Sequence, residues 1–546
     1  MKLMRPFGLL LLALVLDLAG VPFLHADVGN RGAWGDQGDG TFKNPVLPGD
    51  YSDLDAIRVG ADYYAISSTF QYSPGVVILH SRDLVNWTIL GHVADDLTRI
   101  GPELNWDRMD RYGRGIWAGA IRYHAGKFWV YFGTPEEGFF MSTATNAAGP
   151  WTPLHPLHRT NGWDDCCPFW DDDGQGYFVA TQFSADAIGT KYNIHLFKLS
   201  PDGREILPGS DKIIHQSKGS EANKLYKING TYYHFFSEVK PEGRVAMMER
   251  SQNIYGPYEV QQLNHVARVD REPNQGGLIQ TEAGGWWFFT HQGAGGFWEG
   301  RTACLLPVTW TNGWPVIGAL GADGIGTMVW SATKPVTGQL VTVPQTDDEF
   351  SAPVIAPQWE WNYRPRADKW SLTERPGFLR LYAFKPLAAD NLLKAGNTLT
   401  QRVMGYGGGE VVTKLDVTGM ADGQTAGLCF FWSKSCQLGV RQISGTRRVE
   451  LDDNGLLTAG PELKPDTQAV WFKASIDDHG GSVFAFSLDG KNFTPLGGRF
   501  QFGWGNYRGT RVGIYSYNAE AERGHVDVDF FHYHYPGPQN HYSLEP

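Results

Sequence analysis

The sequence predicts an all-β protein, a five-bladed β-propeller followed by a β-sandwich. Three observations carry that prediction. A hairpin of apolar strand, Gly-centred turn and aromatic-rich strand recurs as AIRVGADYYAISS, AIRYHAGKFWVYF, PFWDDDGQGYFVA, KLYKINGTYYHFF and LIQTEAGGWWFFT. The copies alternate with period two and lie about 50 to 65 residues apart, the spacing of radial β architectures. Outer segments such as VVILHSRDLVNWTIL and NIHLFKLSPDGREIL each add a turn and a further strand, so every blade approaches four strands. Beyond the repeats the chain continues as short strands, among them FLRLYAF, GEVVTKLDV, AGLCFFW and HVDVDFFHY. Gly, Asp and Asn turns separate them, as in a two-sheet sandwich or jelly roll.

In chain order, residues 1–26 read as an export signal. Lys2 and Arg5 precede an apolar run from Phe7 to Leu24, and a small residue, Ala26, ends it; Asp17 inside the run is atypical. Residues 27–43 are Gly-rich and polar and are expected to form a flexible lead-in. Asn44-Pro45 opens the propeller, assigned to 44–325. A looser Gly- and Thr-containing linker follows at 326–345, and the sandwich takes 346–546. Two domains suit a chain of 546 residues, longer than one core usually serves.

A net charge of −11 without a basic cluster argues against nucleic acid, and after signal cleavage nothing approaches a membrane span. Phe, Trp and Tyr make up 13% of the chain, a supply that suits both blade packing and stacking on sugar rings. Five cysteines leave at least one unpaired. Cys429 and Cys436, flanking FFWSKS, are the expected disulfide, whereas Cys304 reads as a buried strand residue. Cys166 and Cys167 adjoin a candidate catalytic acid. No Cys and His set has zinc spacing, and the sequence gives no support for a structural calcium.

Three repeats carry an acid near their first strand: Asp53, Asp165 and Glu221. In a propeller these positions belong to the innermost strands, so residues distant in sequence converge on the axial funnel. Glycosidic hydrolysis calls for one protonated carboxyl and one ionised carboxylate on opposite sides of the anomeric carbon, with no cofactor. Asp53 and Glu221, from blades 1 and 4, supply such a pair with room for water. Asp165 can raise the pKa of a neighbouring Glu by like-charge repulsion. Asp55, Asp164 and the run Asp171–Asp173 compete for these roles, although the run precedes Gly174 and reads as a turn.

The stretch NPVLPGDYSDLDAIRVGADYYAISSTFQYSPGVVILHSRDLVNW resembles the opening of glycoside hydrolase family 43, and the resemblance continues through GIWAGAIRYHAGKFWVYF, DDCCPFWDDDGQGYF and GSEANKLYKINGTYYHFFSE. EFSAPVIAPQWEWNYRPRADKWSLTERPGFLRL is similar to the start of the concanavalin-like sandwich of its β-xylosidase branch. The resemblance implies an inverting exo-glycosidase that removes terminal β-D-xylosyl or α-L-arabinofuranosyl residues from xylo- or arabino-oligosaccharides and arabinoxylan, and the pattern of residues 1–26 implies that it is exported. It implies Asp53 as general base, Asp165 as the orienting acid and Glu221 as general acid, with Arg301, Phe70, Trp117 and Tyr72 around the sugar. The chain departs from the family at Gly119, at Ala222-Asn223-Lys224, and at Gln275, where many members place a His near a central calcium or water. These departures leave metal content and substrate choice open. A noncatalytic carbohydrate-binding protein, or a hydrolase of arabinan or galactoside linkages, remains as an alternative.

Overall fold

The computed structural model describes residues 32–183, 191–266, 273–293, 297–389 and 391–538, so the expected export signal lies outside the described residues. Five four-stranded antiparallel sheets form the propeller. Their innermost strands are Asp55–Val59, Gly119–His124, Trp163–Trp170, Glu221–Ile228 and Gln275–Gln280 for blades 1 to 5. Each is followed by its hairpin partner and two outer strands, consecutive in sequence except in blade 1, where Tyr72–Ser73 intervenes between the second and third strands. Local chemistry fixes the hairpins. In blade 4, Ile228 faces Thr231, and the intervening Asn229 and Gly230 have φ of 50° and 80°, as a primed two-residue turn requires.

The inner strands are irregular where they enter the funnel. Pairing with the second strand shifts between Asp164 and Cys167 in blade 3 and between Glu221 and Lys224 in blade 4. Asp53, Asp165 and Ala222 have φ of 57°, 51° and 70°. Bulges and left-handed residues of this kind re-aim side chains that a regular ladder would send to a fixed face.

The expected flexible lead-in is instead anchored in the core by its aromatic residues. Trp34 and Phe42 are buried, and Trp34 Nε1 donates to the Trp87 carbonyl. Thr41–Lys43 pairs with Ser331–Thr333, so the expected linker returns as a strap across the chain's beginning. Lys334 Nζ lies 2.5 Å from Asp36 and 2.9 Å from Asp83 in this strap. Burial of the aromatic rings outweighs the loop signal of the surrounding glycines.

The second domain is a sandwich of an eight-stranded and a seven-stranded sheet. Its interior joins Leu428, Phe430, Val440 and Ile514 to Val411, Leu415, Phe472 and Val528, and this cluster runs on into Trp87 and Phe289 of the propeller. The edge strand of the eight-stranded sheet is Tyr72–Ser73, lent by blade 1 and paired with Trp361 and Asn362.

Two expectations are corrected here. Tyr72 does not belong to the sugar wall; it is fully buried between the domains, with the Arg511 guanidinium 4.1 Å from its ring centre. Cys429 and Cys436 are both free thiols. Cys429 pairs with Gln437 and Cys436 with Phe430, so the two side chains project to opposite faces of one hairpin. Cys304, as expected, is buried in a strand, Thr302–Thr311.

Candidate active site

The funnel holds a cavity of about 540 Å³ whose lining includes Asp53, Asp165 and Glu221, so the three acids read from the repeats meet at one place. Phe70, Trp117 and Arg301 line it as well; Tyr72 does not.

Asp53 stands two residues before the inner strand of blade 1. Arg301 of blade 5 grips its carboxylate at both oxygens, NH1 to Oδ1 at 2.6 Å and NH2 to Oδ2 at 3.0 Å. Ser68 Oγ donates to Oδ2 at 2.6 Å. Burial pushes this carboxyl up, but the Arg301 charge and the Ser68 hydrogen bond outweigh burial and hold it below the usual carboxylate range. The Asp53 backbone N–H donates to His291 Nδ1 at 2.9 Å. Burial, then the Arg301 charge, lowers His291 to about 3, so the ring is neutral and its proton sits on Nε2.

Asp165 has the opposite surroundings. Its Oδ2 accepts from the Ala222 N–H at 2.5 Å and its Oδ1 from Gln275 Nε2 at 3.4 Å, but no arginine reaches it among the described contacts. Burial, then the charges of Glu221 and Asp53, raises it to about 7. Asp164 is raised as well, by burial and then by the Asp165 charge. Glu221 opens the inner strand of blade 4, with its side chain 26% exposed and Arg244 NH1 3.2 Å away.

Aromatic rings form a continuous wall. Phe70 and Trp117 lie 6.2 Å apart between ring centres, Trp117 and Phe183 6.5 Å, and Phe183 and Tyr192 5.2 Å. Tyr507, from a turn of the sandwich, meets Trp117 edge-on at 5.5 Å. Sequence reasoning held Asp164 only as a competitor for the acid roles and missed Phe183, Tyr192, Arg244, Asn274, His291 and Tyr507 as cavity residues. His291 had a readable signal, since it directly faces Gln275 across the blade 5 hairpin. Tyr507 had none, because it is more than 200 residues beyond the last repeat in another domain.

Among the described residues no group of three His, Cys, Asp or Glu side chains is arranged to hold a metal ion. Gln275, in the blade 5 slot that carries His in many members of the resembling family, donates its amide to Asp165. Lys224 on the neighbouring inner strand is fully buried and acts on Asp165 as a positive charge. The Gln275 amide nitrogen and the Lys224 ammonium are not cation ligands, and the ammonium's positive charge disfavours a divalent cation beside Asp165.

What remains is a pocket with one carboxylate favoured in its ionised form, two buried carboxyls pushed toward the protonated form, and a more accessible Glu beside an aromatic wall. Such an arrangement can activate water and protonate a leaving oxygen in one site. Residues 42–315 match the model for glycosyl hydrolases family 43, and residues 347–534 match the beta xylosidase C-terminal concanavalin A-like domain. A beta-xylosidase of Formosa agariphila is 37% identical over 553 residues, covering 93% of each chain. A non-reducing end alpha-L-arabinofuranosidase of Bacteroides ovatus is 32% identical over 363 residues, 62% of this chain and 65% of that one. Among solved structures, a bifunctional GH43-CE protein of Bacteroides eggerthii has a TM-score of 0.79 at 28% identity. The likeness covers 92% of this chain and 64% of that one. Propeller, sandwich and acid-lined funnel agree with both family matches, and the chain belongs to glycosyl hydrolases family 43 and is a glycoside hydrolase.

Proposed function

We propose that the protein is an inverting exo-glycosidase that releases a terminal pentose, β-D-xylose or α-L-arabinofuranose, from plant polysaccharide fragments. The single observation that carries this reading is the convergence of Asp53, Asp165 and Glu221 from three blades on one cavity. In this reading Asp53, kept ionised by Arg301, removes a proton from water as that water attacks the anomeric carbon. Glu221, the most accessible of the cavity acids, gives a proton to the departing oxygen. Asp165 orients the Ala222 backbone that carries Glu221 and, with Asp164, retains a proton in the group near neutral pH. The aromatic wall stacks on the apolar face of the sugar. The N-terminal pattern of residues 1–26 supports export, so that the enzyme meets its glycans outside the cytoplasm. No cofactor enters this scheme.

The test is chromatography of sugars released from arabinoxylan and xylo-oligosaccharides by the wild type and by Asp53→Ala. Single pentoses from the wild type, and a rate lower by a factor on the order of 10³ or more in the variant, are expected. Near-wild-type release by Asp53→Ala overturns the assignment of the base, and release of long oligosaccharides overturns exo action.

A further inference from the structure

Asp50 lies outside the cavity and is buried, yet three groups from two domains close on its carboxylate. The Arg301 backbone N–H donates to Oδ1 at 3.1 Å, the Gly509 N–H donates to Oδ2 at 3.2 Å, and Arg508 Nε stands 3.0 Å from Oδ2. Arg301 belongs to blade 5, whereas Arg508 and Gly509 belong to the sandwich.

The approach is close enough to dictate sequence. Gly300 has φ of 81°, and a Cβ there would lie 2.3 Å from Asp50 Cγ; a Cβ on Gly509 would lie 2.5 Å from the Gly300 nitrogen. Thr510 N donates to the Trp298 carbonyl at 2.7 Å, so residues 298–301 and 508–510 are closed together around Asp50.

From this knot two paths reach Asp53. Arg301, anchored by its own N–H on Asp50, carries the guanidinium that holds both Asp53 oxygens. Arg508 NH1 reaches the Ser68 carbonyl at 3.4 Å, and Ser68 Oγ donates to Asp53. The Arg508 guanidinium also lies 4.4 Å from the ring centre of Phe70, a cavity residue.

We infer that Asp50 is a positioning residue that joins the sandwich to the Arg301–Asp53 pair, so that seating of the 508–510 segment sets the geometry of the candidate base. The inference rests on the assignment of Asp53 proposed above. A buried ion pair is a poor source of net stability, because desolvation opposes its Coulombic gain. Its directional contacts nevertheless fix Arg301 from the backbone outward, and small displacements of a reacting group carry large rate penalties.

The experiment uses the full chain with Asp50→Asn, Arg508→Met and Arg508→Lys. Amide exchange at Arg301 and Gly509 is read beside kcat, KM and the pH profile of kcat/KM. Asp50→Asn is expected to speed exchange at both amides. It should lower kcat about 10- to 100-fold with a smaller change in KM, and move the acid limb of kcat/KM to higher pH as the clamp on Asp53 loosens. Arg508→Lys should recover part of what Arg508→Met loses.

Unchanged exchange at Arg301, or wild-type kcat in a folded Asp50→Asn protein, overturns the inference. If Asp50→Asn does not fold, the two Arg508 variants decide by the same measurements. The exchange data stand whatever Asp53 does, so an active Asp53→Ala enzyme would defeat the proposed base without being confused with the failure of the coupling.

Discussion

Two ends of one cavity hold the same kind of side chain in opposite states. At the junction of blades 1 and 5, Asp53 is as buried as Asp165, but a guanidinium lies against both its oxygens and the carboxylate is held ionised. At the junction of blades 3 and 4, burial and the charges of neighbouring acids, Glu221 and Asp53 on Asp165 and Asp165 on Asp164, push both Asp164 and Asp165 toward the protonated form. Burial alone therefore decides nothing; Arg301 and Ser68 at Asp53, without counterparts at Asp165 among the described contacts, separate the carboxyl held low from the one pushed up.

The largest effect that could break this division of roles is loss of an end member. Glu221→Ala is expected to slow xylo-oligosaccharide hydrolysis by a factor on the order of 10³ or more. An aryl glycoside whose leaving group needs no proton should suffer far less, whereas Asp53→Ala should depress both substrates alike. The measurement is kcat/KM on the two substrates for each variant. Equal losses for Glu221→Ala would place its role in binding or folding rather than proton donation.

Stability sharpens the same contrast, because the two acids should respond with opposite signs. Asp165 is raised, so the native state keeps a proton that the unfolded chain releases between the ordinary carboxylate value and about pH 7. Stability falls across that interval and stays lower above it. Asp165→Asn, neutral and still able to accept from the Ala222 N–H, should raise Tm at pH 8 by about 2–6 °C, with the gain vanishing near pH 3.5. Asp53 is lowered, so its contribution is present above the ordinary value and lost as pH falls. Asp53→Asn should lower Tm at pH 7, since Arg301 is left without its counter-charge, and the deficit should shrink in acid. Thermal melts of both variants across pH test the pair, and shifts of the same sign would refute the comparison.

The repeat made the propeller legible because its information is local: alternation, a primed turn at Asn229-Gly230, and aromatics on the second strand. The acids were legible for the same reason, each at the entrance of an inner strand. The direction of their pKa shifts was not, since Arg301 stands 248 residues from Asp53 and only closure of the ring brings them together. The lead-in misled because Gly-rich composition reports backbone freedom and says nothing of where Trp34 will be buried. Tyr72 misled because its neighbour Phe70 does face the cavity, while the chain two residues on is already an edge strand of the other domain.

The smallest expected effect tests the sandwich's direct share of the cavity. Tyr507 sits in a tight turn, with the Gly505 and Arg508 backbones exchanging hydrogen bonds at 3.0 and 3.1 Å, and φ of 52° and 65° at Asn506 and Tyr507. Gly113 of the propeller leaves room for that turn, for a Cβ there would lie 2.2 Å from Asn506 Cβ. The tyrosine is 52% exposed, lines the cavity and packs edge-on against Trp117, so it is placed to meet a sugar rather than the reacting atoms. Tyr507→Ala should therefore raise KM about 3- to 10-fold, equivalent to about 0.5–1.5 kcal/mol of stacking, and leave kcat near its wild-type value. An equal fall in kcat and kcat/KM would mean that the turn acts on the chemistry itself, and the sandwich would then reach the reaction through Tyr507 as well as through Asp50.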